Sequence, residues 1–131
     1  MGQPAAKQGD TIVAVDTHIF MIPAAAGAPV PTPQPSPFNG ILQVNLSTDV
    51  MIMGMPAATV GSQAVNTPPH LPQGGPFQKP PTNQGEIMTG SATVFINGKA
   101  AARAGDTART CNDPVDLPVG SVVAAGTVLI G

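Results

Sequence analysis

One motif recurs three times, and this recurrence constrains the fold more than any other feature. The fullest copy runs from Asp49 to His70, DVMIMGMPAATVGSQAVNTPPH. A second lies at Thr93 to Cys111, TVFINGKAAARAGDTARTC. The third is split: TVLIG closes the chain at Thr127 to Gly131, and PAAKQGDTIVAVDTH runs from Pro4 to His18. Each copy reads as an apolar strand, a glycine, a pair of alanines, a second turn, and a residue able to bind a soft metal. Internal repetition marks a structure assembled from equivalent units. A motif divided between the two ends also requires those ends to lie side by side. The expected fold is therefore all-β, built of short hairpins about a pseudo-threefold axis, with adjacent termini and long Pro/Gly-rich loops.

The hairpins are placed by alternation. Ile41, Leu42 and Val44 are expected to pair with Val50 to Met53 across a turn at Ser47-Thr48-Asp49, and residues 85–97 to repeat the arrangement. Val50 aligns with Val94 and Val128, and Ile52 with Ile96 and Ile130, so these six side chains share one face and form the expected core. Met51, Phe95 and Leu129 then share the opposite face, a threefold apolar patch suited to docking, with Met53 and Met55 beside it. Ala5-Ala6, Ala57-Ala58 and Ala101-Ala102 hold matching places, where small side chains let three backbones approach one axis. Pro4 and Pro56 precede two of these pairs and fix φ at a turn. Gly9-Asp10 reads as a turn leading into a strand over Ile12 to Val15.

With 131 residues the chain suffices for one domain, 1–131, with copies at about 41–70, 85–111, and 121–131 joined to 4–18. Sixteen prolines and fifteen glycines are concentrated between the apolar runs. Residues 21–40, 71–84 and 112–120 are read as irregular loops, the first extended over the surface by Pro29, Pro31, Pro33, Pro35 and Pro37. Only 9% of residues are charged, and Lys7, Lys79, Lys99, Arg103 and Arg109 are scattered, which argues against nucleic acid as a partner. No run is long enough to span a bilayer. The N-terminus lacks the charged start and apolar middle of a signal peptide, so synthesis in the cytoplasm and exit by another route are expected. A single Cys rules out an intrachain disulfide.

The only two histidines and the only cysteine end the three copies. Gly9 to His18 and Gly61 to His70 are both nine residues, while Gly105 to Cys111 is six. Imidazole and thiolate are zinc ligands, and iron also suits them, so His18, His70 and Cys111 are the candidate metal site. A fourth position falls to water, to a carboxylate such as Asp16 or Asp113, or to nothing. No H-E-x-x-H, G-x-S-x-G or phosphate-cradling loop is present. Glu86 is remote from the ligands along the repeat, and Asp10 and Asp106 sit in turns. A structural metal is expected rather than a catalytic one; the alternative is a small metal-dependent enzyme or metal-binding module.

PAAKQGD, PAATVGS and AAARAGD, together with FINGKAAARAGD and the terminal VLIG, resemble the repeat of the PAAR (Pro-Ala-Ala-Arg) proteins. These are conical tips of contractile injection machines: type VI secretion systems and phage-tail-like particles. The resemblance implies a cone of β-hairpins seated, one chain per trimer, on a VgrG or phage-hub-type spike. It implies a zinc near the point, held here by His18, His70 and Cys111. The family's three His and one Cys are met by two His and one Cys, and no copy reads Pro-Ala-Ala-Arg. The resemblance further implies contact with a target membrane, effector cargo as a possible passenger, and assembly at the particle tip for delivery out of the cell.

Overall fold

The computed structural model describes residues 2–131, which contain strands, turns and loops but no helix. The strands are β1 (Gln3–Pro4), β2 (Thr11–Ile22), β3 (Val30–Val44), β4 (Met51–Ile52), β5 (Met55–Pro56) and β6 (Gln63–Asn66). They continue as β7 (Gln84–Ile87), β8 (Phe95–Ile96), β9 (Lys99–Ala100), β10 (Thr107–Thr110), β11 (Leu117–Val123) and β12 (Leu129–Ile130). Six of them close a barrel in the order β10-β11-β2-β3-β6-β7, with β7 returning to β10. The other six form three separate two-stranded ribbons, β4–β5, β8–β9 and β1–β12. Each third of the barrel is one copy of the motif: a strand enters, a ribbon projects, and a strand leaves. The split copy is completed by Gln3 pairing with Ile130 and Pro4 with Leu129. Closure leaves the barrel without a free edge along its shared length.

The pseudo-threefold axis is visible in the backbone. Ala6 N–H donates to Ala102 O (2.9 Å), Ala102 N–H to Ala58 O (3.1 Å), and Ala58 N–H to Ala6 O (3.0 Å). All three alanines are wholly buried. A ring of three main chains this close has no room for a larger side chain, which explains the repeated alanine pair. Below it Ala5, Ala57 and Ala101 pack with Ile52, Ile96 and Ile130. Above it, inside the barrel, lie Ile12 with Ala64 and Ala108, and Leu42 with Ile87 and Val122. The turns out of the ring are equivalent as well. Gly9, Gly61 and Gly105 have φ of 92°, 94° and 89°, a region where glycine carries no Cβ penalty. Asp10 and Asp106 carboxylates and the Ser62 hydroxyl accept the N–H three residues back, from Lys7, Arg103 and Thr59.

The hairpins differ from those expected at the sequence level. The strand ending at Val44 pairs with β2 and β6, not with β4, and β4 folds instead onto β5. Ser47 causes the divergence: its hydroxyl accepts the N–H of Asp49 and Val50, turning the chain out of the barrel. Ser91 does the same for Thr93 and Val94. The real hairpin turns are Met53-Gly54 and Asn97-Gly98, where both residues have positive φ, matching the twist of a two-residue loop. Because each ribbon strand is two residues long, alternation does not reach the preceding valine. Ile52, Ile96 and Ile130 are buried, Val50 is half-buried, and Val94 and Val128 are exposed. Pro4 and Pro56 end short strands rather than shaping turns.

The proline-rich segment is also a strand, not a loop. β2 runs on to Ile22 and pairs with β3 without interruption from Thr11↔Ile41 to Ile22↔Val30. Pro31, Pro33, Pro35 and Pro37 alternate, so every missing N–H faces away from β2, where no ladder is broken. The intervening Ser36 and Phe38 point inward and are buried. The third expected loop is shorter than 112–120, since β11 begins at Leu117. Beyond the barrel the outer edge of β2 is covered by other means. Asn112 Oδ1 accepts Thr17 N–H (2.7 Å), Asp113 Oδ2 accepts Ile19 N–H (2.8 Å), Gln78 N–H donates to Ile19 O (2.8 Å), and Met21 N–H donates to Pro76 O (2.8 Å).

Candidate metal centre

β2, β6 and β10 leave the alanine ring in the same sense, each after its glycine turn. They carry His18, the approach to His70, and Cys111 to one place above the barrel core. On β2 the inward positions alternate as Ile12, Asp16, His18 and Phe20, all buried, while Val15 and Thr17 face out. His70 is held by Asn83, which takes a left-handed φ of 57° and whose Oδ1 accepts the His70 N–H at 2.8 Å. Cys111 follows directly on β10 and is 2% exposed.

The structure thus brings together His18, His70 and Cys111, and it adds Asp16. One donor atom from each of the four lies within 4.8 Å of every other. His70 Nε2 is 2.8 Å from Asp16 Oδ2, and the Cys111 Sγ is 3.5 Å from the same oxygen. His18 Nε2 stands 3.8 Å from Cys111 Sγ and 4.0 Å from Asp16 Oδ2. A tetrahedral ion with bonds of about 2.0–2.3 Å requires edges of about 3.3–3.8 Å between its ligands. Three of these separations already match or nearly match that figure, and the fourth is a hydrogen bond that a bound ion would replace. The side chains are no more than 4% exposed, so water competes little. The residues therefore fit a small divalent ion, and two imidazoles, a thiolate and a carboxylate suit zinc or iron.

The neighbours fix these donors. The Thr110 hydroxyl donates to Asp16 Oδ1, and Asn112 Nδ2 reaches the same oxygen at 3.5 Å. His18 Nδ1 is buried without a hydrogen bond, and the nearest carboxylate oxygen, Asp113 Oδ2, is 3.5 Å away. Phe77 stands edge-on to the His18 ring, and Phe38 lies 6.1 Å from the His70 ring. Asp16 was legible as one of two carboxylates for a fourth place. Its position two residues before His18 on a strand is the signal that favours it, since i and i+2 share a face. Thr110, Asn112 and Asn83 carry no such signal, because their roles depend on contacts distant in sequence.

Burial sets the electrostatics. Desolvation pushes the Cys111 thiol from its ordinary 9.0 up to about 11, helped by the Asp16 charge. Desolvation, then the proximity of His70, lowers His18 below its ordinary 6.5. Both groups are thus neutral in the metal-free fold near neutral pH, and the thiol proton leaves when an ion binds. The signs follow from linkage. Above pH 9 the unfolded thiol ionises first, so stability declines between about 9 and 11, by about 2–3 kcal/mol at roughly 1.4 kcal/mol per pH unit. Below pH 6.5 the unfolded His18 takes up its proton first, so stability declines again. Urea unfolding of chelated protein is expected to show a plateau between these limits. A Cys111→Ala variant is expected to lose the alkaline decline.

A sequence profile described as the PAAR motif matches the chain twice, over residues 38–114 and 77–131. The two matches overlap on the β7–β10 copy, as a profile spanning neighbouring copies of a threefold repeat must. Comparison with curated proteins gives no match. The matches together cover most of the chain, in agreement with the all-β barrel, its three ribbons and its alanine ring: this chain belongs to the PAAR-motif family.

Proposed function

We propose that this chain is the structural tip of a contractile injection particle, one copy capping a trimeric spike of the VgrG or phage-hub type. The observation that carries the reading is threefold symmetry presented by one polypeptide. At the ribbon end Met51, Phe95 and Leu129 are 59%, 61% and 59% exposed, three equivalent apolar side chains around the axis. A trimer ends in three equal surfaces, and one chain with three quasi-equal faces can meet all of them. Met53 and Met55 beside them are exposed and adaptable in shape.

The opposite end suits passage through a membrane. No charged residue occurs between Thr17 and Thr48, nor between Val50 and Gln78. The prolines of β3 remove N–H groups from its outer edge, and Pro76 and Gln78 bond the backbone of β2. Fewer bare backbone groups are therefore left to desolvate at that end, and Lys79 and Asp116 are the exposed charges near it. An ion held by His18, His70 and Cys111, zinc or iron, joins the three copies where the barrel core ends, and its role is structural. The donor side chains are buried, which favours a structural ion over a catalytic one. Such a part works at the particle tip, outside the cell that made it.

The test is co-purification with a trimeric spike protein of the VgrG or phage-hub type, with stoichiometry read by native mass spectrometry. One chain per trimer is expected, and Phe95→Glu is expected to weaken capture at least tenfold while leaving the unfolding midpoint of the free chain unchanged. Three chains per spike, or capture indifferent to charge at Met51, Phe95 and Leu129, would refute the reading.

A further inference from the structure

We propose that Asp16 Oδ2 is the fourth protein ligand of the bound ion. This rests on the metal-holding reading above and decides a place that the residue pattern leaves open.

Two carboxylates lie near the cluster, and their geometry separates them. Asp113 Oδ2 faces His18 Nδ1 and accepts the Ile19 N–H at 2.8 Å, so it lies against the ring nitrogen that points away from Cys111. Asp16 lies on the other side, with Oδ2 turned to His70 Nε2, Cys111 Sγ and His18 Nε2 together. One ligand atom of each of the four residues lies within 4.8 Å of the others, so an ion held among those three donors has Oδ2 beside it. The second oxygen, Oδ1, is taken by Thr110 and Asn112, which leaves Oδ2 as a single, oriented donor.

Charge gives an independent reason. Asp16 is 0% exposed, yet its neighbours are a hydroxyl, an amide, two imidazoles and a thiol, with no Lys or Arg among them. A buried carboxylate without a cation is strongly unfavourable. A divalent ion, with the Asp16 carboxylate and the Cys111 thiolate, makes a group of zero net charge. A water in the fourth position would leave the carboxylate uncompensated beside it and would need space that Oδ2 occupies.

The experiment uses the full chain loaded with one equivalent of Zn2+. In the crystal structure of that species, Asp16 Oδ2 is expected at about 2.0–2.2 Å from the zinc anomalous peak. In solution, competition with a chromophoric chelator is expected to show at least 100-fold weaker zinc binding for Asp16→Asn. Asp16→His, which replaces the carboxylate with a neutral imidazole donor, is expected to recover binding to within tenfold of wild type and to keep the intense four-coordinate spectrum with Co2+. Thr110→Val, which loses only the contact to Oδ1, is expected to weaken binding by no more than about tenfold. Zinc affinity unchanged in Asp16→Asn, or a water in the fourth place with Oδ2 beyond bonding distance, overturns the assignment and leaves the metal-holding reading intact. A wild-type chain that takes up no Zn2+ or Co2+ overturns both.

Discussion

Stripping the ion with a chelator, or replacing Cys111 by serine, is expected to lower the unfolding midpoint by about 15–25 °C. Structural zinc contributes on the order of 10 kcal/mol in the smallest modules, which have almost no core of their own. Here the barrel retains Ile12, Leu42, Ile87 and Val122 below the site, so roughly half that figure is expected, about 5 kcal/mol. At this chain length each kcal/mol moves the midpoint by about 3–5 °C. The loss has a direction along the molecule. An ion at this site would join β2, the segment after β6 and the end of β10, so on its removal hydrogen exchange should accelerate first in the backbone around Asp16–Phe20, His70, Asn83 and Thr110–Asp113. The amides of Ala6, Ala58 and Ala102 should stay protected. A chelated protein that melts within about 3 °C of the loaded one would remove the structural role from the metal.

The second large effect is expected at the alanine ring. Ala58→Leu places three more carbons where main chains from all three copies meet at hydrogen-bond distance and no side chain is exposed. Overpacking of an ordinary core costs about 1–3 kcal/mol because neighbours shift. Here the neighbours are backbone on every side, in a closed ring, so the cost is expected above about 3 kcal/mol, with little soluble protein recovered. Ala58→Gly, which adds no volume, should cost only about 1 kcal/mol. Pseudo-symmetry makes the same forecast for Ala6 and Ala102. Urea unfolding of the three leucine variants tests it, and tolerance at any one position would show that the three backbones do not share one tight axis.

Much of the architecture could be read from residues that serve the same purpose in each copy. Gly9, Gly61 and Gly105 must all take positive φ, and Ala6, Ala58 and Ala102 must all be small, so they stand out by repetition. Ile52, Ile96 and Ile130 were legible as core for the same reason, and Met51, Phe95 and Leu129 as an exposed set. Strand pairing was less accessible. Ser47-Thr48-Asp49 has the composition of a hairpin turn, but its hydroxyl turns the chain away from the barrel, and the closing turn is Met53-Gly54. Proline misled in the 21–40 segment because its missing N–H is harmful on one side of a strand and harmless on the other. Only the neighbours decide which side is which.

The residue pattern alone determined a threefold, all-β chain with joined ends, and it named two imidazoles and a thiol as candidates for one site. These properties follow from local conformational needs, repeated until they become visible. Tertiary structure decided the rest: that six strands close a barrel, that prolines lie in its longest strand, and that Asp16 faces the histidines while Asp113 stands behind one of them. The physical reason is range. A turn or a small-residue contact is specified by the residue that occupies it, whereas strand partners and the side of an imidazole that a carboxylate meets are set by segments up to a hundred residues away.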